Sequence, residues 1–242
     1  MDCSHELSLF LYTDFLEQPI DGTRFKSPIA ISAHRAIMIL MKNWNQGVKR
    51  MIITIGREFG SYGHVIGREL AKKLGVKYYD KESMAEEAKK TGKYDELRDF
   101  YQEQPVNSLL YVIATDNSAH GQRKVPFEFI RNLAQKEDCV IVGRCGNFIL
   151  KDHPDMTSVF IHAPLEYRID KTAASRKIST EKARKLVEKE DKARAGFHTY
   201  YADEKWNEAD GYQLTIDSSV ISIEDAVDLI IDFVNKKQNS RN

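Results

Sequence analysis

The sequence predicts an α/β domain of three layers, a five-stranded parallel sheet between two layers of helices. Three observations lead there. Apolar stretches of strand length alternate with helical patterns from Met51 onward; Cys139–Gly143 is apolar without alternation, as a strand covered on both faces should be; and a glycine-rich loop joins the first strand directly to a helix. Parallel strands are connected by right-handed crossovers, and ligands of such sheets bind beyond the strands' carboxyl ends.

Residues 1–50 differ in texture from the rest of the chain. They hold a Gln18-Pro19-Ile20-Asp21-Gly22 turn and a helical stretch from Ser32 to Trp44 but no strand, and are read as an appended segment. Met51–Ile55, rich in β-branched residues, is the first strand, and Gly56–Gly63 is the loop after it. A helix follows with Ile66, Leu70 and Leu74 at four-residue spacing and Gly75 as its stop. Val76–Asp80 makes a short strand, and helical patterns run with interruptions from Lys81 to Tyr111. After a polar loop at Ser118–Lys124, a helix spans Phe127–Gln135 and leads into the strand Cys139–Gly143. Ser158–His162 is the fourth strand, Ser179–Arg194 a long helix, Tyr212–Asp217 the fifth strand and Ile223–Asn235 the closing helix. The folded domain is therefore expected over 51–236, with a polar tail at 237–242.

Composition narrows the function. With 42% apolar and 30% charged residues, 13 Gly and 6 Pro, the chain is neither collagen-like nor of low complexity. Its 36 Lys+Arg balance 36 Asp+Glu, so no global field draws it to nucleic acid or to a membrane surface. The apolar run Ala36–Met41 falls far short of the roughly 20 residues of a membrane helix. Cys3, Cys139 and Cys145, an odd set without C-x-x-C spacing, suit a reducing compartment, and a cytoplasmic location is expected. The seven histidines form no H-x-x-x-H or H-E-x-x-H pair and no G-x-S-x-G elbow occurs, so neither a metal site built from protein ligands nor a serine hydrolase is expected.

The loop is where chemistry enters. A strand, a glycine-rich turn and a helix together aim backbone N–H groups and the positive end of a helix dipole at one point, which suits phosphate. Gly60 and Gly63 let the chain curl close to the anion, and Ser61 adds a hydroxyl. The loop departs from G-x-x-x-x-G-K-S/T: no lysine follows Gly63, and Val65 stands where a magnesium-binding hydroxyl belongs. Arg57 at the entrance and His64 at the exit are the replacement cations, whereas Arg68, one turn into the helix, reads as a solvated residue.

Ile53–Gly63, Leu70–Asp80, Val140–Cys145, Glu190–Arg194 and Leu214–Ser219 occur in order, and this series resembles the cytidylate kinase-like family of P-loop nucleoside monophosphate kinases. The resemblance implies a P-loop kinase fold with a mobile helical lid at about 168–202. It also implies ATP and Mg2+ as cofactors, and phosphoryl transfer to a nucleoside monophosphate, with a pyrimidine nucleotide such as CMP the expected acceptor. It places Arg144 on the acceptor side and Asp80 near the acceptor, the latter either touching substrate or capping the next helix. Three residues depart from the family's pattern: Tyr62 replaces a glycine, His64 an arginine, and Cys145 the aspartate that helps read cytosine. A catalytically weak or inactive nucleotide-binding module and a kinase of another small metabolite therefore remain as alternatives.

Between Arg168 and Arg194 ten Lys/Arg face five Asp/Glu, a local excess in a neutral chain. Phosphoryl transfer spreads negative charge over the migrating group, and planar guanidinium forks suit it. Arg168, Arg176 and Arg194 are the expected catalytic arginines, and Asp191 either orients Arg194, touches substrate or lies exposed. Ala195-Gly196 is a candidate hinge. The aromatic group Phe197, His198, Tyr200, Tyr201 and Trp206 either stacks a base or packs the lid onto the sheet.

Overall fold

The computed structural model describes residues 50–102, 119–202 and 204–240. The expected turn at 18–22, the helix at 32–44 and the helical pattern beyond Gln102 lie outside the described residues.

Five parallel strands, β1 (Ile52–Arg57), β2 (Lys77–Tyr79), β3 (Cys139–Val142), β4 (Met156–His162) and β5 (Leu214–Asp217), form one sheet in the order β2-β3-β1-β4-β5. β1 lies at the centre, with Ile53 opposite Val140 on one side and Thr157 on the other, and Arg57 opposite Ile161. The order places the carboxyl ends of β1 and β3 side by side, with the chain departing to opposite edges of the sheet on either side of them.

Alternation along the strands divides the core. Ile53, Ile55, Val140, Val142, Val159 and Ile161 face α1 (Gly63–Leu74) and α8 (Ile223–Asn239), meeting Ile66, Leu70, Val227 and Ile230. Ile52, Cys139 and Ile141 face the other way, into a layer built by α2 (Lys81–Lys90), α3 (Tyr94–Gln102), α4 (Ala119–Lys136) and α5 (Gly146–Ile149). α6 (Leu165–Arg176) and α7 (Thr180–Ala202) form an antiparallel pair with its own small cluster of Ile169, Ala183 and Val187. Among the described residues, no helix is long and apolar enough to cross a membrane.

Several boundaries differ from the sequence reading. β4 begins at Met156 and β5 at Leu214, leaving Tyr212 as a packing residue whose hydroxyl donates to the Trp206 carbonyl. α4 starts at Ala119 and runs through Pro126, which lacks an N–H and in sequence suggests a start after it. The short α5 carries no periodicity long enough to announce it. The largest correction concerns α7, which does not end near Arg194 but continues unbroken through Ala195 and Gly196 to Ala202. Phe197, Tyr200 and Tyr201 supply the reason: their i, i+3, i+4 spacing buries three aromatic rings against Phe100 and its neighbours. Burial of that size outweighs the roughly 1 kcal/mol that a helical glycine costs.

Candidate active site

β1 delivers the chain to the loop at Arg57, and the loop turns back into α1 through Tyr62, which adopts left-handed φ of 59°. A non-glycine residue there carries about 1–2 kcal/mol of strain, the physical reason a glycine suits this position. Gly60, at φ 82°, is required on two counts: a Cβ would also lie 2.9 Å from the Arg168 carbonyl oxygen and 2.9 Å from Thr172 Oγ1. No side chain caps the start of α1 and its first turn holds no carboxylate, so its N–H groups and dipole face outward uncancelled.

In front of this helix end opens a cleft of about 1200 Å³. Its walls carry Arg57, Gly60, Gly63 and His64 from the loop region, Arg68 from α1, Asp80, Lys81 and Glu82 from the start of α2, and Arg144 from the end of β3. α6 adds Lys171 and Arg176, and α7 adds Lys189, Glu190, Lys192 and Arg194. Nine Lys/Arg against four Asp/Glu line it, a concentration of positive charge within a chain of zero net charge. Arg68 is exposed, as expected of a solvated helix residue, and it borders the cleft with its guanidinium 5.8 Å from the Tyr78 ring. Partial burial and the neighbouring Arg68, Arg57 and Arg194 lower the His64 pKa below the usual 6.5, against the opposing pull of Asp80.

Arg144 is 2% exposed and sits in the second of three consecutive left-handed residues, Gly143, Arg144 and Cys145, with φ of 79°, 58° and 53°. Two non-glycine residues held there store strain of the kind that accompanies functional sites. Its guanidinium lies 5.9 Å from the Phe197 ring, and the residue borders both the cleft and a smaller cavity of about 20 Å³, room for one water molecule. Asn147 and His198 line that smaller cavity. Cys145 is buried at the start of α5.

Other residues settle alternatives that the sequence left open, and Ser61 departs from its expected place. Asp80 caps α2 in a reciprocal capping box with Ser83, and it also borders the cleft. Phe197, Tyr200 and Tyr201 pack in the core and Trp206 packs on Phe160, so none is placed to stack a base. Ser61 is turned inward: fully buried, its Oγ lies 2.9 Å from the Glu58 carbonyl and 3.0 Å from that of Ile161, so it pins the loop instead of facing the cleft.

Arg168 is likewise drawn away from the cleft lining. Its Nε donates to the Ala163 carbonyl and lies 3.1 Å from Glu58 Oε2, and its Nη1 pairs with Asp191 Oδ2 and donates to the Phe59 carbonyl. Asp191 Oδ1 in turn accepts the Phe59 N–H at 2.7 Å, and Glu58 accepts the Ala163 N–H at 3.0 Å. All three charges are largely buried, at 7% exposure for Arg168, 16% for Glu58 and 19% for Asp191. Glu58 and Phe59 are the residues that sequence reasoning missed. A signal was present: a carboxylate in a phosphate-facing loop would repel the ligand unless a nearby cation took it up.

Arg176 and Arg194 do converge at the cleft. Arg194 Nη1 donates to the Arg57 carbonyl at 3.2 Å, and both guanidinium groups lie 5.4 Å from the Phe59 ring.

Comparison with known proteins places this geometry. No curated protein matches the chain. Among solved structures, an uncharacterized protein from Eubacterium ventriosum ATCC 27560 is 31% identical with a TM-score of 0.60, covering 77% of this chain and 99% of its own. Shikimate kinase from Acinetobacter baumannii, solved with shikimate, is 16% identical with a TM-score of 0.42, covering 79% and 97%. A gluconokinase from Sinorhizobium meliloti 1021 is 11% identical with a TM-score of 0.47, covering 80% and 97%. The cytidylate kinase-like family matches over residues 52–220, a span that includes the loop, Arg144 and both cleft arginines of the α6–α7 pair. On that match the chain belongs to the cytidylate kinase-like family.

Proposed function

We propose that this kinase-family protein transfers a phosphoryl group from ATP to a nucleoside monophosphate, with a pyrimidine nucleotide such as CMP as acceptor. The observation that carries the reading is the uncapped start of α1 facing a cleft in which Arg57, Arg144, Arg176 and Arg194 come together from four separate elements. Triphosphate lies along the loop and the helix end; Arg144, at the neighbouring strand, meets the acceptor. Catalysis is by positioning and charge stabilisation, with Arg176 and Arg194 matching the charge that spreads over the migrating group.

Among the described residues no group of three or more His, Cys, Asp or Glu is placed to hold a metal ion, and Val65 supplies no hydroxyl. Mg2+ would therefore enter with the nucleotide, held by its phosphates, by waters and by at most one or two carboxylates of the cleft. The ion neutralises phosphate charge when bound.

The test is an ADP-release assay with ATP, Mg2+ and a panel of monophosphates and small alcohols. Acceptor-dependent ADP release, greatest with CMP, is expected; ATP binding without acceptor-dependent release would favour a non-catalytic binding module. The lack of the loop lysine and the presence of Glu58 are what support that second reading. Greatest release with an alcohol would favour a kinase of another metabolite.

Two further results are expected. Arg144→Ala should weaken CMP binding by one to two decades, the about 1.5–3 kcal/mol of one charge-assisted contact, with ATP affinity nearly unchanged; equal losses in calorimetry would contradict the acceptor assignment. ATP affinity should also rise as pH falls from 8 toward 6. Bound phosphate raises the lowered His64 pKa, so a proton is taken up with the nucleotide and binding strengthens between the free and bound values. His64→Gln should flatten that dependence in titrations at fixed free magnesium, and a profile parallel to the wild type would rule His64 out.

A further inference from the structure

Within the glycine-rich loop, Phe59 is held both at its backbone and at its ring. Its N–H donates to Asp191 Oδ1 and its carbonyl accepts from Arg168 Nη1, while Arg168 and Asp191 pair with each other. Three contacts thus close a ring around a single loop residue, and they bring in one residue from α6 and one from α7. Largely buried charges in such a ring hold their geometry firmly, because breaking either contact leaves a charge without its partner.

The Phe59 side chain then meets two cations. Arg176 from α6 and Arg194 from α7 each lie 5.4 Å from its centroid, within the range at which a guanidinium is attracted to an aromatic face. Two like charges brought to one cleft repel each other, and an aromatic ring is a neutral group that attracts both. Asp191 and Arg194 stand three apart on α7, so the carboxylate that grips the Phe59 backbone and the guanidinium that meets its ring share one helix face.

We propose that Phe59 is a positioning residue: gripped at its backbone by the Arg168–Asp191 pair, its ring holds Arg176 and Arg194 over the phosphate loop before any ligand arrives. Arg168 acts through Phe59 and does not touch substrate. The consequence for catalysis rests on the kinase reading above, whereas the placement of the two arginines does not. Groups held in place beforehand lose less freedom when ligand binds, which is how the arrangement would strengthen phosphate binding.

Phe59→Leu and Phe59→Tyr separate this role from packing. Leucine keeps an apolar side chain in the cluster with Ile169 and Val187 but removes the π face; tyrosine keeps the face. In the ligand-free full chain, hydrogen exchange over residues 171–180 and 188–196 should quicken about tenfold in Phe59→Leu, equivalent to about 1.4 kcal/mol of local opening, and stay within twofold of wild type in Phe59→Tyr. ATP affinity at saturating Mg2+ should fall about tenfold in the leucine variant alone. Asp191→Asn, which keeps an acceptor for the Phe59 N–H but gives up the ion pair, should quicken exchange over the same residues. Wild-type exchange in Phe59→Leu, equal loosening in Phe59→Tyr, or a silent Asp191→Asn would each overturn the proposal. If the leucine variant does not fold, Phe59→Met supplies the same contrast. A wild-type protein that binds no ATP would remove the kinase reading and leave the exchange result to decide the positioning role.

Discussion

Arg194→Ala should slow phosphoryl transfer at least a hundredfold while leaving the fold intact. The side chain is half-buried and donates to a backbone carbonyl, that of Arg57, so its loss should move the unfolding free energy by no more than about 1 kcal/mol. Its position is what makes it costly. Arg194 lines both the open cleft and the small cavity behind Arg144, at the point between the glycine-rich loop and the carboxyl end of β3. A guanidinium placed where charge develops on a migrating phosphoryl group contributes about 10³–10⁵ in rate in related chemistry, and Arg176, which meets the same Phe59 ring, would retain part of that effect. Arg194→Lys should recover a minor share, since a lysine restores the charge but not the planar fork. Single-turnover rates with ATP and CMP, set beside thermal melts of the same proteins, test this. A rate within threefold of wild type would remove Arg194 from the reaction.

The parts legible in the sequence were those whose signals are local. The strand from Met51, the glycine-rich loop and the helix marked by Ile66, Leu70 and Leu74 lie within 25 residues, and each is announced by its own neighbours. The two-sided burial of β3 follows from its composition alone, because a strand without alternation has no face for water. Arg144 came instead from the resemblance of Val140–Cys145 to the family's third strand, and the structure sets it on the cleft wall. The ion-pair ring was not legible. Phe59 meets Arg168 and Asp191 across 109 and 132 residues, and nothing in the spacing of an arginine on one helix and an aspartate on another says that both turn toward the same loop residue. Arg168 thus looked like Arg176 and Arg194 in sequence, although burial and two carboxylates give it a different task. The continuation of α7 past Gly196 was hidden differently: the glycine is a strong local signal for a break, and three aromatic rings packed on the core override it. Tyr62 shows the opposite case, a local rule broken and its strain retained at the edge of the cleft.

His198 should make the protein lose stability in mild acid. The side chain is 3% exposed, on the stretch of α7 that a break at Gly196 would have released, and burial pushes its pKa down to about 4 from an ordinary value of 6.5. Below pH 6.5 the unfolded chain takes up a proton there that the folded chain refuses, so unfolding is favoured progressively as pH falls, until the folded form also protonates near pH 4. Across that window the single histidine accounts for about 3 kcal/mol, with a limiting slope of about 1.4 kcal/mol per pH unit. His64 and His153, whose pKa values are also lowered, tilt the curve the same way, so the test is a difference between proteins and not the wild-type slope alone. His198→Gln places a neutral amide in the same cavity and has no proton to exchange. Urea unfolding of both proteins at pH 7, 5.5 and 4.5 should show the wild type losing more stability than the variant, by an amount that grows with each step, whatever the variant's stability at pH 7. Parallel curves would mean that the folded protein accepts the proton readily. The cavity that His198 shares with Arg57, Arg144 and Arg194 would then have to admit enough water to hold a fourth positive charge.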